Sequence, residues 1–233
     1  MSFIFNRLLW LPVVMWIVAS LTFLALRIVP GNPIESVANQ ILDPEQLERV
    51  QALWGLDRPI WEQYGAFMSD LLRGDLGVSM SSGISLNRLM FERMPPTIEL
   101  AVLSLIGSSV IGIVSGVMAV ISPSKGVQLL MRFLTTLSLS VPIFWVGTLL
   151  VLVIAVELGW LPAGGRIGRV EYETITNFMI IDTLLTGNWE ALGSYLRHIT
   201  LPALSISLTS AGFVARLTRS SMLEIMGSNY VQT

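Results

Sequence analysis

Apolar residues in this chain do not alternate or recur every third or fourth position over most of its length; they run on without interruption. Runs of this kind stand at about Leu8–Leu26, Ile98–Ile121, Phe133–Val156 and Ile199–Ala215. Each is near the roughly 20 helical residues that cross a bilayer core. The expected architecture is therefore an all-α integral membrane protein, a bundle of about four transmembrane helices. The first run follows a short polar start containing Arg7, which raises the alternative of a cleaved signal peptide. The run is longer than a signal core, and Arg27 follows it where a small-residue cleavage site would be needed. It reads as an uncut first span.

Lysine and arginine in short loops set orientation. A cytoplasmic N-terminus puts Arg7, Lys125, Arg132, Arg216 and Arg219 inside. The long segment Arg27–Pro96, whose acids outnumber its arginines, then lies outside, as does the segment from Leu158 to His198. Within the latter, Ile175–Leu185 contains Asp182 and is too short and too polar to span.

The external segments carry the shorter period of amphipathic helices. In "DPEQLERVQALWGL", Asp43 can cap, Pro44 takes the first helical position and Gln46 completes a capping box. Leu47, Val50, Leu53 and Trp54 form one face, and Gly55 is the stop. A second helix is expected from near Pro59 to Gly74, burying Tyr64, Phe67, Met68, Leu71 and Leu72. A loop, "GDLGVSMSSG", leads to a third short helix opened by Ser85, and Pro95–Pro96 break the chain before the second span. These helices either form a packed external cap or touch a partner. The resulting division is 1–27 (first span), 28–96 (external), 97–217 (membrane core with external loop 158–198) and 218–233 (start of a cytoplasmic loop).

Composition agrees with the pattern. Of 233 residues, 53% are hydrophobic and 13% charged, against about a quarter charged in soluble domains; mean hydropathy is +0.69. A formal charge of −2 offers no basic field for nucleic acid. Without cysteine there is no disulfide framework, Cys-based zinc site or thiol nucleophile.

Inside the spans, Ser104, Ser108, Gly112 and Gly116 repeat every fourth position, a stripe that lets another helix approach closely. Pro142 sits within the third run in "SLSVPIFWVG" and should kink it. Ser138 and Ser140 stand ready to satisfy the freed carbonyls. Such a kink, with Ser138, Ser140, Pro142 and Phe144, is a candidate translocation path, or equally ordinary bundle geometry. None of the four apolar cores holds Asp, Glu, Lys, Arg or His; Glu99 and Glu157 stand at the ends. Mid-membrane charges are retained mainly for function, as in ion-coupled carriers. Uphill transport here would draw its energy from elsewhere, and no GxxxxGK[ST] phosphate loop supplies it. His198, the single histidine, lacks companion ligands and reads as an interfacial helix-start residue. "GWLPAGGRIG" lacks the strand–turn–helix setting of a phosphate cradle and reads as an external turn. No catalytic, cofactor or metal constellation emerges.

In the tail, "ARLTRSSMLEIMGSNYVQT", Ser220 or Ser221 would open a separate short helix, with Glu224 at capping-box distance from Ser221. Met222, Leu223, Met226 and Tyr230 gather on one side. Beyond Arg219 the segment has no basic residue, so docking into a partner's groove is favoured over lying on lipid.

The fragments "RIVPGNP", "WGLDRPIWEQYGAFMSDLLRGDLGVS", "RMPPTIELA", "SVPIFWVG", "GWLPAGG" and "HITLPALSISLTSAGFVARLTRSSMLEIMGSNYVQT", in this order, resemble the permease subunit of the bacterial peptide/dipeptide/nickel importers of the ATP-binding-cassette class. The resemblance implies an inner-membrane subunit, itself not an enzyme, that forms a path for peptides or similar solutes. Its implied partners are a second homologous permease subunit, two cytoplasmic ATP-binding-cassette ATPases, an extracytoplasmic solute-binding protein and membrane lipid. It further implies that Arg216, Arg219, Met222, Leu223, Glu224, Tyr230 and Val231 lie on the approach to the ATPase interface. Family members normally continue through two more membrane helices, so the chain is expected to match their first two-thirds to three-quarters. A passive channel, part of an ion-coupled carrier and a membrane-anchored assembly factor are the alternative readings.

Overall fold

A computed structural model describes residues 2–28, 55, 57–79 and 83–227. The expected helix at Asp43–Trp54 and the tail residues Tyr230 and Val231 lie outside the described residues. Two compact units divide the chain, Met1–Met90 and Phe91–Thr233.

In the first unit, α1 (Ser2–Ile28) carries the first apolar run, with Pro12 inside it. Its hydroxyls are satisfied within the helix: Ser20 donates to the Trp16 carbonyl and Thr22 to that of Val18, each at 2.8 Å. A second helix, α2 (Ile60–Leu72), starts after Pro59 and gives way to Gly74, whose φ of +77° suits a residue without Cβ. It meets α1 through Tyr64, whose hydroxyl lies 2.7 Å from that of Ser20 and whose ring stands edge-on to Phe23 at 5.3 Å. Phe67 adds a tilted contact to Phe23 at 5.5 Å. The expected apolar face is only partly covered: Tyr64, Phe67 and Met68 are half-buried, while Leu71 and Leu72 are exposed. The "GDLGVS" loop closes on Asn87, which accepts from the Leu76 amide at 2.7 Å and donates to the Gly74 carbonyl at 2.5 Å. An isolated bridge, Val78 to Ser85, is the only β pairing among the described residues.

Next, α3 (Leu86–Ile121) runs through Pro95 and Pro96 without a break, which corrects the expectation of a short helix ending there. The prolines delete the amides that would bond the carbonyls of Phe91 and Glu92, but both residues are exposed, where water can replace them. In the second unit, Gln128 ties the turn after α3 by donating to the Ser122 carbonyl at 2.8 Å. Then come α4 (Lys125–Ser140) and α5 (Ile143–Leu150), which continues as a π-helical stretch over Val151–Glu157. The third apolar run is therefore not one kinked helix. Its two halves meet at 109°, because Val141 and Pro142 are both extended, at ψ 130° and 139°. Proline restricts the residue before it to extended backbone, and here the helix stops instead of bending.

After a loop, α6 (Met179–Leu185) precedes α7 (Trp189–Gly227), 39 residues with Pro202 inside. The separate tail helix capped by Ser220 or Ser221 is also corrected: α7 passes through both serines. No glycine or proline stands between Gly212 and Gly227 to stop it. His198 accordingly lies inside a helix, not at its start.

By length and composition α3 and α7 can each cross a membrane, and the bent α4–α5 pair makes up to three. Their outward faces carry Leu105, Ile106, Ile113 and Phe213, all exposed. Lipid solvates such side chains as well as a core would, so exposure carries no penalty there. Among the described residues the buried apolar cluster, Met179, Tyr195 and Ile199 with Leu100 and Leu103 against it, sits where α3, α6 and α7 meet.

Candidate functional site

Small residues set the spacing of the second unit. Ser104, Ser108, Gly112 and Gly116 are all buried on α3. A Cβ at Gly112 would stand 2.5 Å from the Val214 Cβ and 2.9 Å from the Ala211 carbonyl oxygen. At Gly116 it would meet the Ala215 carbonyl oxygen at 2.7 Å. Ser207 of α7 donates to the Ser104 carbonyl at 3.1 Å. Only glycine lets the two backbones come this close.

Beside this crossing, α3, α4 and α7 border an open cavity of about 640 Å³. Val110, Val114, Met118, Met131 and Leu208 line it, with hydroxyls from Ser115, Thr135, Ser138 and Thr209. No ionisable side chain is among its walls. The volume suits a small solute, and the lining offers van der Waals contact and a few neutral hydrogen bonds.

Of the four path candidates, Ser138 is half-buried on the cavity wall; Ser140, Pro142 and Phe144 are exposed and line none of it. Ser138 does more than face the cavity. Its hydroxyl donates to the carbonyls of Leu208 at 2.5 Å and Thr209 at 3.1 Å, and accepts from the Gly212 amide at 3.1 Å. It thus stands between the two groups, Leu208 C=O and Gly212 N–H, that form one rung of the α7 ladder. Two smaller clefts follow α7 toward its start: one of about 460 Å³ beside Gly147, Gly165 and Ser205, and one of about 610 Å³ beside Trp160 and Trp189. Pro162 and His198 belong to both.

The loop over residues 158–188 is held by two carboxylates. Glu99, buried near the start of the α3 apolar run, accepts from the Tyr195 hydroxyl at 2.6 Å and the Ile180 amide at 2.7 Å, and pairs with Arg166 at 3.5 Å. Arg166 also donates to the Asn177 carbonyl. Asp182, fully buried, accepts from the Thr176 hydroxyl at 2.6 Å and from the amides of Thr176, Ile175 and Asn177. Burial pushes the Asp182 carboxyl up; the hydrogen bonds from Thr176, Ile175 and Asn177 outweigh it and hold the group below the ordinary 3.8. His198 is held by its own helix, Nδ1 lying 2.7 Å from the Ser194 carbonyl oxygen. No cluster of three or more metal-ligating side chains occurs among the described residues.

A bundle of long apolar helices bordering a cavity with neutral walls fits a transport subunit, and comparison with known proteins decides the point. Residues 108–233 match the model of the binding-protein-dependent transport system inner membrane component, and residues 1–101 match that family's N-terminal model. The chain belongs to this family. It is 31% identical over its whole length to a dipeptide transport system permease protein of Alkalihalophilus pseudofirmus, covering 70% of that protein. It is 34% identical, again over its whole length and 70% of the relative, to a di/tripeptide transport system permease protein of Pseudomonas aeruginosa. With a dipeptide transport system permease protein of Escherichia coli it shares 32% identity over 91% of this chain and 64% of that one. The chain is an inner-membrane permease subunit of a binding-protein-dependent ABC importer, a class that works with ATPase and solute-binding partners.

In this permease subunit the described tail residues, Arg216, Arg219, Met222, Leu223 and Glu224, ride the last turns of α7. Arg216, Leu223 and Glu224 are exposed; Arg219 and Met222 are half-buried. Leu217, Ile225 and Met226 join Leu223 in an exposed apolar group. Sequence reading missed the Glu99–Tyr195–Arg166 network. Its signal was a carboxylate placed directly against an apolar run, but the partners lie 67 and 96 positions away. It missed the clefts too, because "GWLPAGG" reads as no more than a turn until α7 is seen beside it.

Proposed function

We infer that this permease subunit carries short peptides inward across the membrane, and that it is itself non-catalytic. The observation behind the reading is the similarity, along the entire chain, to proteins named as dipeptide and di/tripeptide permeases. The cavity beside α7 supports it: neutral walls suit cargo whose side chains vary, since no fixed charge selects among them. Four spans with a cytoplasmic N-terminus account for the lysine and arginine distribution, α1 and the bent α4–α5 pair each serving as one span. In this arrangement the division at 27, 96 and 217 separates a first span, an external segment, a membrane core and the start of a cytoplasmic coupling loop. Ser138 borders the path on the cavity wall, Ser140, Pro142 and Phe144 stand at the exposed joint of α4 and α5 beside it, and Ser104, Ser108, Gly112 and Gly116 hold its walls together.

A second permease subunit closes the far side of the path, and two ATPases act from the cytoplasm. Arg216, Arg219, Met222, Leu223, Glu224, Tyr230 and Val231 lie toward the ATPase. Binding energy there moves the bundle between inward- and outward-open states; reversing a 1:99 equilibrium takes about 5.5 kcal/mol of differential binding. The test is uptake of a radiolabelled dipeptide into cells expressing the complete importer. Expected is accumulation that vanishes with a hydrolysis-dead ATPase. Accumulation that persists with the dead ATPase, or follows an imposed proton gradient alone, overturns the reading in favour of a channel or ion-coupled carrier.

A further inference from the structure

The cleft beside Trp160 and Trp189 differs from the inner cavity in chemistry. About 610 Å³ in volume, it is bounded by those two exposed indoles and by two charges on α7, Glu190 and Arg197. Glu190 and Arg197 are two helical turns apart on the same face, about 10 Å along the axis. Three extended peptide residues span about the same 10 Å. Arg197 donates through one Nη to the Trp160 carbonyl at 3.2 Å, which fixes the guanidinium against the loop and leaves further N–H donors on the group. The inner boundary of the cleft is Pro162 and His198, which also bound the next cleft down α7.

We propose that this cleft is an entry subsite for short zwitterionic peptides, Glu190 taking the ammonium terminus, Arg197 the carboxylate, and the tryptophans the apolar side chains between. The assignment rests on the peptide-cargo reading and deepens it. Opposite charges at one peptide length recognise the two termini whatever the side chains, while the indole faces accept any apolar group. Specificity for free, short peptides then arises at the mouth, and the neutral cavity beyond need not discriminate. The pair is solvent-exposed, so each contact is worth at most a few-fold in affinity, which favours release inward over tight capture.

The test uses the assembled importer in lipid nanodiscs without its binding protein. Saturable tryptophan-fluorescence changes are followed with trialanine, N-acetyl-trialanine and trialanine amide. Blocking either terminus should weaken binding roughly two- to fivefold, the range of an exposed charge pair. Glu190→Gln should abolish the penalty of acetylation and keep that of amidation; Arg197→Gln should do the reverse, and Arg197→Lys should keep both. Uptake of trialanine by the unaltered complete importer is measured in parallel. If it is taken up but the blocking penalties are absent, or survive in both glutamine variants, the subsite is wrong and the cargo reading stands. If no trialanine enters, the cargo reading fails and the subsite with it.

Discussion

Single side chains fix the loop over residues 158–188, one of them, Glu99, through packing and the other, Asp182, through charge. Glu99, itself buried, has the Tyr195 hydroxyl, the Ile180 amide and Arg166 as partners. Glu99→Ala leaves those donors stranded and should cost about 3 kcal/mol, the low end for a broken buried ion pair. Glu99→Gln, which keeps the shape and an acceptor, should cost less, on the order of 1–2 kcal/mol. Thermal unfolding of the detergent-solubilised subunit would rank them; equal midpoints for all three chains would refute the network's role. Asp182 acts through charge. Its folded carboxyl ionises below 3.8, the ordinary value, so the charged form stabilises the loop fully above that pH. The contribution fades as pH falls through the folded value, which lies lower still. Amide exchange at Ile175, Thr176 and Asn177, corrected for intrinsic rates, should therefore accelerate on the acid side of pH 4. In Asp182→Asn it should be fast at every pH. None of this was legible in the sequence, where Asp182 merely disqualified a run as a span and Glu99 marked a span's end. Hydrogen-bond partners 96 positions apart leave no local pattern.

Elements were more legible than their joints. The apolar runs gave α1, α3, the α4–α5 pair and α7, because hydropathy summed over twenty residues outweighs any single residue. Boundaries failed where single residues were asked to decide them. Pro95–Pro96 read as a break but sit inside a helix whose freed carbonyls water can reach; Pro142 read as a kink but ends one helix and starts another. Ser220 and Ser221 read as caps, although capping needs the chain to leave the helix, and α7 never does. The small-residue stripe yields a contrast between neighbours. Gly112→Ala gains about 1 kcal/mol of helix propensity. Its new methyl, 2.9 Å from a backbone oxygen of α7, forces the helices apart at about 1–3 kcal/mol, so the net effect is destabilising. Ser104→Ala removes a buried hydroxyl that has no partner among the described residues and should be neutral or stabilising. Thermal midpoints moving in these two directions would support a close α3–α7 crossing; a stabilised Gly112→Ala would refute it.

At the scale of the whole molecule, α7 is the element that connects the 158–188 loop to the tail. Its 39 residues extend roughly 58 Å, about twice the hydrocarbon thickness of a bilayer. One end is fixed at Tyr195 by Glu99; the other carries Leu217, Leu223, Ile225 and Met226 exposed. Between them Ser138 of α4 bonds both the Leu208 carbonyl and the Gly212 amide, tying α4 to the middle of α7. In the proposed coupling, a push on the tail reaches the cavity wall through α7, which lines that cavity from Leu208 to Ala215. Leu223 is the residue at which to break that chain of force. Being about half exposed, at 47%, it contributes little to the fold of the subunit alone. Sealed in an ATPase groove, a leucine side chain is worth about 1.5–3 kcal/mol, and a carboxylate in its place costs more than that gain. Leu223→Asp should therefore leave the subunit folded and membrane-inserted, while ATP-driven uptake by the reconstituted importer falls at least tenfold, since about 1.4 kcal/mol is a factor of ten. Leu223→Met, keeping volume and apolarity, should transport nearly normally. Undiminished uptake by the aspartate variant in the complete complex would remove Leu223, and with it the inner end of α7, from the coupling route.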